Sequence, residues 1–150
     1  MYCQLDQVGE ILNVAGAVKD AVCKDQQAPF DSTIISFKAS SVIFGLLLLK
    51  DNDVFIKKGN VNVNGKQAGY YWVELYLDGL PFVLTVVCEP VPEILFLPVE
   101  EAVEKYRFIP EKDHAWRPTD CEEEIWQAVL NDLDIKKTAQ QIIDDILRIM

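Results

Sequence analysis

Apolar residues recur at three- and four-residue steps near the amino-terminal end of the chain: Leu5, Val8, Ile11, Leu12, Ala15, Val18 and Val22. That step is the repeat of one helical face, so residues 4–22 are expected to form an amphipathic helix. Lys24 to Asp31 gathers Asp, Gln and Pro29 and reads as a loop. Ser32 to Lys50 supports two readings. Ser32 or Thr33 can cap a helix that continues through Ala39, Val42 and Leu49, apolar on all sides and therefore buried. The β-branched run Thr33-Ile-Ile-Ser-Phe, and Val42 to Leu49 ahead of Asp51-Asn-Asp, equally suit strands meeting at a turn. Periodicity does not separate a buried helix from a buried strand. Helix over 36–49 is the preferred reading, with paired strands as the alternative.

From Asp53 onward the repeat changes to two. Val54-Phe-Ile-Lys-Lys is a short strand, and Asn60 to Gln67, with Asn64-Gly65, is a turn-forming connector with room for a small hairpin of its own. Along the next strand Tyr70, Trp72, Glu74 and Tyr76 point one way, and Tyr71, Val73, Leu75 and Leu77 the other. Asp78-Gly79 is a hairpin turn, and Pro81 falls just after it, where a strand start tolerates a missing N–H. Phe82 to Cys88 is an unbroken apolar run that suits a central strand covered on both faces. Ile94-Leu-Phe-Leu adds another strand, delimited by Pro90, Pro92 and Pro98.

The last third reads as helical. Val99 to Tyr106 makes one or two turns, and Glu111 to Pro118 is polar and turn-like. Thr119-Asp-Cys-Glu is a capping-box pattern that places Glu122, Glu123 and Glu124 at the positive end of a helix. Ile125, Trp126, Val129, Leu130 and Leu133 then form a buried stripe. Ala139, Ile142, Ile143, Ile146, Leu147 and Met150 form a second, with Asp134 as its expected cap. The pattern predicts a single α+β domain over residues 1–150. An antiparallel sheet of about four to six strands is packed with an N-terminal helix, a buried central helix and two C-terminal helices.

Composition narrows the functional classes. The chain has 150 residues, 50% hydrophobic and 25% charged, enough to bury about 70% of the surface its unfolded form exposes. The net charge of −10 is uneven. Residues 1–90 carry ten acidic and seven basic side chains, a net of −3, and residues 91–150 carry fourteen and seven, a net of −7. Phosphate backbones require clustered Lys and Arg, so direct nucleic-acid binding is not expected. The start of the chain lacks a basic segment followed by an apolar run. The apolar run Val42 to Leu49 is far short of the ~20 residues that span a bilayer. A cytoplasmic location and no membrane partner are therefore expected. Cys3, Cys23, Cys88 and Cys121 are dispersed and expected to be free thiols. They form no close-spaced ligand set with the single His114, so no metal and no cofactor is expected.

Gly69-Tyr-Tyr-Trp-Val-Glu-Leu-Tyr-Leu-Asp-Gly79 resembles the His-Ala-Trp-Val-Glu strand and Asp-Gly turn of transglutaminase-like proteins of the papain-type fold. Trp72, Val73, Glu74, Asp78 and Gly79 match, and Tyr70 stands in the histidine's place. The resemblance covers residues 32–88. It implies that Ser36 occupies the place of the cysteine, at a buried helix, and Thr85 that of the acid. All three catalytic positions are then replaced. Thiol attack needs a thiolate, an imidazole and an orienting carboxylate, and Ser36, Tyr70 and Thr85 offer no base with a pKa near neutrality. The resemblance implies a binding scaffold, a pseudoenzyme.

The expected function is non-catalytic protein interaction, inhibitor-like in character, with another protein as the partner and self-association left open. Its candidate binding residues are Tyr70, Trp72, Glu74 and Tyr76 on the hairpin, and Glu122, Glu123 and Glu124 at the acidic helix start. Two alternatives stand beside it. One is a cysteine-dependent hydrolase or acyltransferase in which His114, oriented by Asp120, serves Cys88 or Cys23. The other is a small-ligand pocket between sheet and helices.

Overall fold

The computed structural model describes residues 4–24, 26–88 and 91–150, with side chains from residue 6 onward. Cys3 and Pro90 lie outside the described residues, as does the side chain of Leu5. The chain is an α+β domain whose sheet has five antiparallel strands in the order β4-β3-β2-β1-β5. Helix α1 (Gln4–Cys23) and helix α2 (Ser32–Leu49) come first. Strands β1 (Val54–Val63), β2 (Lys66–Leu77), β3 (Leu80–Val87) and β4 (Glu93–Pro98) follow as a meander. Helix α3 (Val99–Tyr106) then crosses the sheet and delivers β5 (Ile109–His114) to the far side of β1. Helices α4 (Glu123–Asp132) and α5 (Ala139–Ile149) complete the chain.

Two residue pairs with left-handed backbone turn the meander. Asn64-Gly65 (φ 52° and 82°) and Asp78-Gly79 (φ 52° and 79°) both have positive φ at the two central positions. That geometry matches the twist of the flanking strands and selects Asn-Gly and Asp-Gly. The first turn does more than connect: β1 pairs with β2 without interruption from Val54↔Leu75 to Val63↔Lys66. The strand expected to stop at Lys58 therefore runs on to Val63.

The sheet separates two cores. On one face lies α2, with α1, α4 and α5 packed around it. Helix α2 has no polar stripe because it has no solvent face for most of its length. Ile35, Val42, Ile43 and Leu47 are at most 1% exposed, and each contributes about 1.5–3 kcal/mol by burial. By length and composition α2 could cross a bilayer, but here it packs as a core helix. On the other face α3 and Phe108 close a smaller core with Val61, Val63, Tyr70, Trp72, Val83, Val87 and Ala102. The Trp72 and Phe108 rings meet edge to face at 4.9 Å.

Four local expectations change. Asp31, not Ser32 or Thr33, caps α2 by accepting the Ile34 N–H at 3.1 Å. Thr33 instead donates its hydroxyl to the Gly69 carbonyl at 2.9 Å, tying the helix start to β2. The polar segment beginning at Glu111 is not a turn: Ile109–His114 is an edge strand, with a break in register opposite Lys58/Gly59. Thr119 does not cap α4. Glu122 stands at that N-cap, while the Asp120 carboxylate accepts the Arg117 N–H at 3.1 Å around a short 3-10 turn. Finally, Thr138 caps α5 in a reciprocal box with Gln141, and Asp134 instead takes a left-handed conformation between the helices.

Candidate functional site

The hairpin divides its aromatic residues between core and surface. Tyr70 and Trp72 are 0% and 2% exposed, sealed beneath α3 and Phe108. Glu74 and Tyr76, on the same face, stay half-buried near the turn, with the Tyr76 hydroxyl donating to Glu74 at 3.3 Å. The Glu74 charge pushes the Tyr76 phenol above its ordinary value. Phe55 packs edge-on to Tyr76 at 6.2 Å and is itself exposed. Beside them Lys57 donates to Asp113 at 2.6 Å, and that hydrogen bond raises the lysine.

Ser36, Tyr70 and Thr85 all serve the backbone where β2 leaves β3. The ladder between those strands ends at Val73↔Leu84. Two residues beyond, the Tyr71 N–H donates to Ser36 Oγ at 2.9 Å, and the Thr85 hydroxyl donates to the Tyr71 carbonyl at 2.6 Å. The Cys88 N–H donates to the Tyr70 hydroxyl at 3.2 Å. Three side-chain oxygens thus replace ladder partners that the diverging strands cannot supply, and unpaired buried backbone groups are costly. Ser36 sits in the α2 core and Tyr70 in the α3 core, on opposite faces of the sheet.

His114 is fixed by Asp120, with Nε2 and Oδ2 2.8 Å apart and the carboxylate 8% exposed. Its ring stands edge-on to Phe37 and Tyr71 at 5.3 and 5.6 Å. The His114–Asp120 pairing read from the sequence is present, but the proposed thiols lie elsewhere. Cys88 follows β3, which is separated from β5 by β2 and β1. Three strand spacings amount to about 14 Å. Cys23 ends α1, a helix that packs on α2, α4, β3 and β4 rather than on β5, and burial raises its thiol. Cys121 is nearer in sequence, yet burial, reinforced by the Glu122 charge, pushes its thiol up to about 12. At neutral pH it is not a nucleophile.

Glu122, Glu123 and Glu124 are exposed around the start of α4, and Glu122 pairs with Lys38 at 3.0 Å. Glu122 and Glu123 border a shallow groove of about 420 Å³ with Pro118, Thr119, Cys121, Ile143 and Leu147. Glu124 faces a different depression, with Gln127 and Thr138.

A larger groove, of about 620 Å³, lies between the hairpin tip and α3 and was not anticipated from the sequence. Its floor is Leu80, Pro81, Pro98 and Val99; its rim is Glu100, Glu101 and Glu104. Leu80 is 63% exposed, since the Asp78-Gly79 turn carries it beyond the sheet. Pro98 ends β4 and α3 begins at once, so the carboxylates of its first turn rise beside the prolines. Lys105 pairs with Glu101 at 3.6 Å. In sequence, the signals were Leu80-Pro81 after the turn and Pro98-Val-Glu-Glu opening a helix, but nothing local linked them. Among the described residues no group of His, Cys, Asp and Glu could hold a metal ion.

The architecture defines the class as an α+β domain with a helix-covered five-stranded antiparallel sheet. No protein-family model, curated protein or solved structure matches the chain.

Proposed function

We propose that this chain is a non-catalytic protein-recognition domain that accepts a cationic, apolar segment of a partner protein. The observation that carries this reading is the groove of Leu80, Pro81, Pro98 and Val99 rimmed by Glu100, Glu101 and Glu104. An apolar floor rewards burial of aliphatic side chains, and a carboxylate rim selects Lys or Arg around them. The net charge of −10 adds long-range attraction for such a partner. The placement of the thiols supports a role without covalent chemistry. Cys121 is held protonated, and Cys88 stands three strands from His114.

The reading is tested with a capped Lys-Val-Lys-Val-Lys-Val-Lys peptide, labelled for fluorescence anisotropy. An exposed ion pair is worth roughly 0.2–1 kcal/mol. Reversing Glu100 and Glu104 to Lys turns two attractions into two repulsions, a change of about 1.4 kcal/mol or tenfold in Kd. Weakening of that size is expected. Equal binding to wild type and to the Glu100→Lys/Glu104→Lys variant overturns the proposal.

A further inference from the structure

The two edges of the sheet are built differently. β5, at one edge, carries Pro110, which lacks an N–H, and the register of its pairing breaks opposite Lys58/Gly59. Glu111, Lys112 and Asp113 follow, all exposed. Proline, a bulge and a run of charges are the devices by which proteins keep an edge from pairing with another chain. β4, at the other edge, has none of them within its body. Ile94, Leu95, Phe96 and Leu97 are consecutive, apolar and only half-buried. Their pairing with β3 runs without a break from Glu93↔Val87 to Pro98↔Phe82. Among the described residues no strand pairs with the outer side of β4.

We propose that the partner segment binds as an added β-strand along the free edge of β4, with alternating apolar and basic side chains. Successive side chains of a strand point to opposite faces. Ile94 and Phe96 lean toward the α1–α2 core, and Leu95 and Leu97 toward the α3 core. On the first face an added strand meets the partly exposed Ile94 and Phe96, which favours aliphatic residues. By alternation Glu93 shares the second face with Leu95 and Leu97, the face on which Glu100, Glu101 and Glu104 rise from α3. There the added strand carries Lys or Arg. Main-chain hydrogen bonds supply affinity, and the two faces supply selectivity. The occupant is an extended segment of another protein rather than a second copy. A second copy would set Glu93 and the α3 carboxylates against their own like charges, with −10 on each chain.

The charge argument rests on the groove reading, and the test separates the two. The Lys-Val peptide is compared with two analogues, one N-methylated at every valine and the other at every lysine. In an added strand only one of these sets faces β4. One analogue is expected to lose at least tenfold in affinity while the other binds like the parent. Amide hydrogen exchange is expected to slow in β4 on adding the parent peptide. If both analogues bind like the parent and β4 exchange is unchanged, the edge proposal is overturned and groove docking stands. If β4 is protected but Glu100→Lys/Glu104→Lys leaves affinity unchanged, strand addition stands and the groove reading fails. Protection of β4 without peptide, together with a dimer in sedimentation velocity, overturns the foreign-segment occupant in favour of a second copy.

Discussion

Replacing Thr85 by valine removes one hydroxyl and preserves the shape of the side chain. Thr85 is fully buried, and its hydroxyl donates to the Tyr71 carbonyl at 2.6 Å where the β2–β3 ladder has ended. The valine methyl fills the hydroxyl's place but cannot donate, so the buried carbonyl is left unpaired. An unsatisfied buried acceptor costs about 1–3 kcal/mol. Near the middle of that range, Thr85→Val lowers stability by about 2 kcal/mol and Tm by roughly 4–8 °C for a chain of this size. Ser36→Ala strips the acceptor from the N–H of the same residue. Its cost is about 1–2 kcal/mol, slightly offset because Ala favours the helix by about 0.5 kcal/mol. Both groups serve Tyr71, so the double variant departs from additivity by at least about 0.5 kcal/mol. Urea and thermal unfolding, followed by circular dichroism, measure all three terms. If Thr85→Val falls within about 0.5 kcal/mol of wild type, the hydroxyl does not hold the strand and the structural account of Ser36, Tyr70 and Thr85 is refuted.

Four further outcomes follow from local geometry. A Cβ at Gly59 would stand 2.1 Å from the Ile109 backbone carbonyl, so Gly59→Ala forces β1 and β5 apart. It should cost more than 2 kcal/mol by denaturant unfolding and speed exchange of the Ile109–His114 amides. Thr138→Ala removes the α5 cap and is expected to cost about 1 kcal/mol, again by urea unfolding. Cys121 is expected to resist iodoacetamide at neutral pH in the folded protein, with half-buried Cys23 labelled ahead of it; peptide mapping reads both sites. Since folding raises the Cys121 pKa from 9.0 to about 12, the folded state holds the proton more tightly. The associated stability is present below pH 9 and is lost as pH rises toward 12. A Cys121→Ala variant should flatten that slope in alkaline unfolding curves.

Much of the fold was legible because its signals are local. Asn64-Gly65 and Asp78-Gly79 specify their turns through backbone conformation alone, and the Tyr70–Leu77 alternation survives unchanged in β2. Helix α2 was harder, because a helix buried on most sides loses the periodicity that identifies it. β5 was illegible for the opposite reason. Pro-Glu-Lys-Asp has no strand pattern of its own, and it becomes a strand because the edge of β1 is open to it. The caps moved for tertiary reasons: Thr33 is engaged by the Gly69 carbonyl, leaving Asp31 to close the helix. Among the site residues, alternation correctly grouped Tyr70, Trp72, Glu74 and Tyr76 on one face. It did not reveal that α3 and Phe108 would cover the first two. The groove joins Leu80 to Glu104 across two strands and a helix, a juxtaposition that only the folded chain creates.

The most direct test of protein recognition through this groove is a charge swap. Wild-type protein and the Glu100→Lys/Glu104→Lys variant are each titrated with the Lys-Val peptide and with its Glu-Val counterpart. The account predicts that wild type prefers the lysine peptide and that the reversal weakens binding of the lysine peptide and strengthens that of the glutamate peptide, each by about tenfold in Kd. Identical preferences in the two proteins would contradict it.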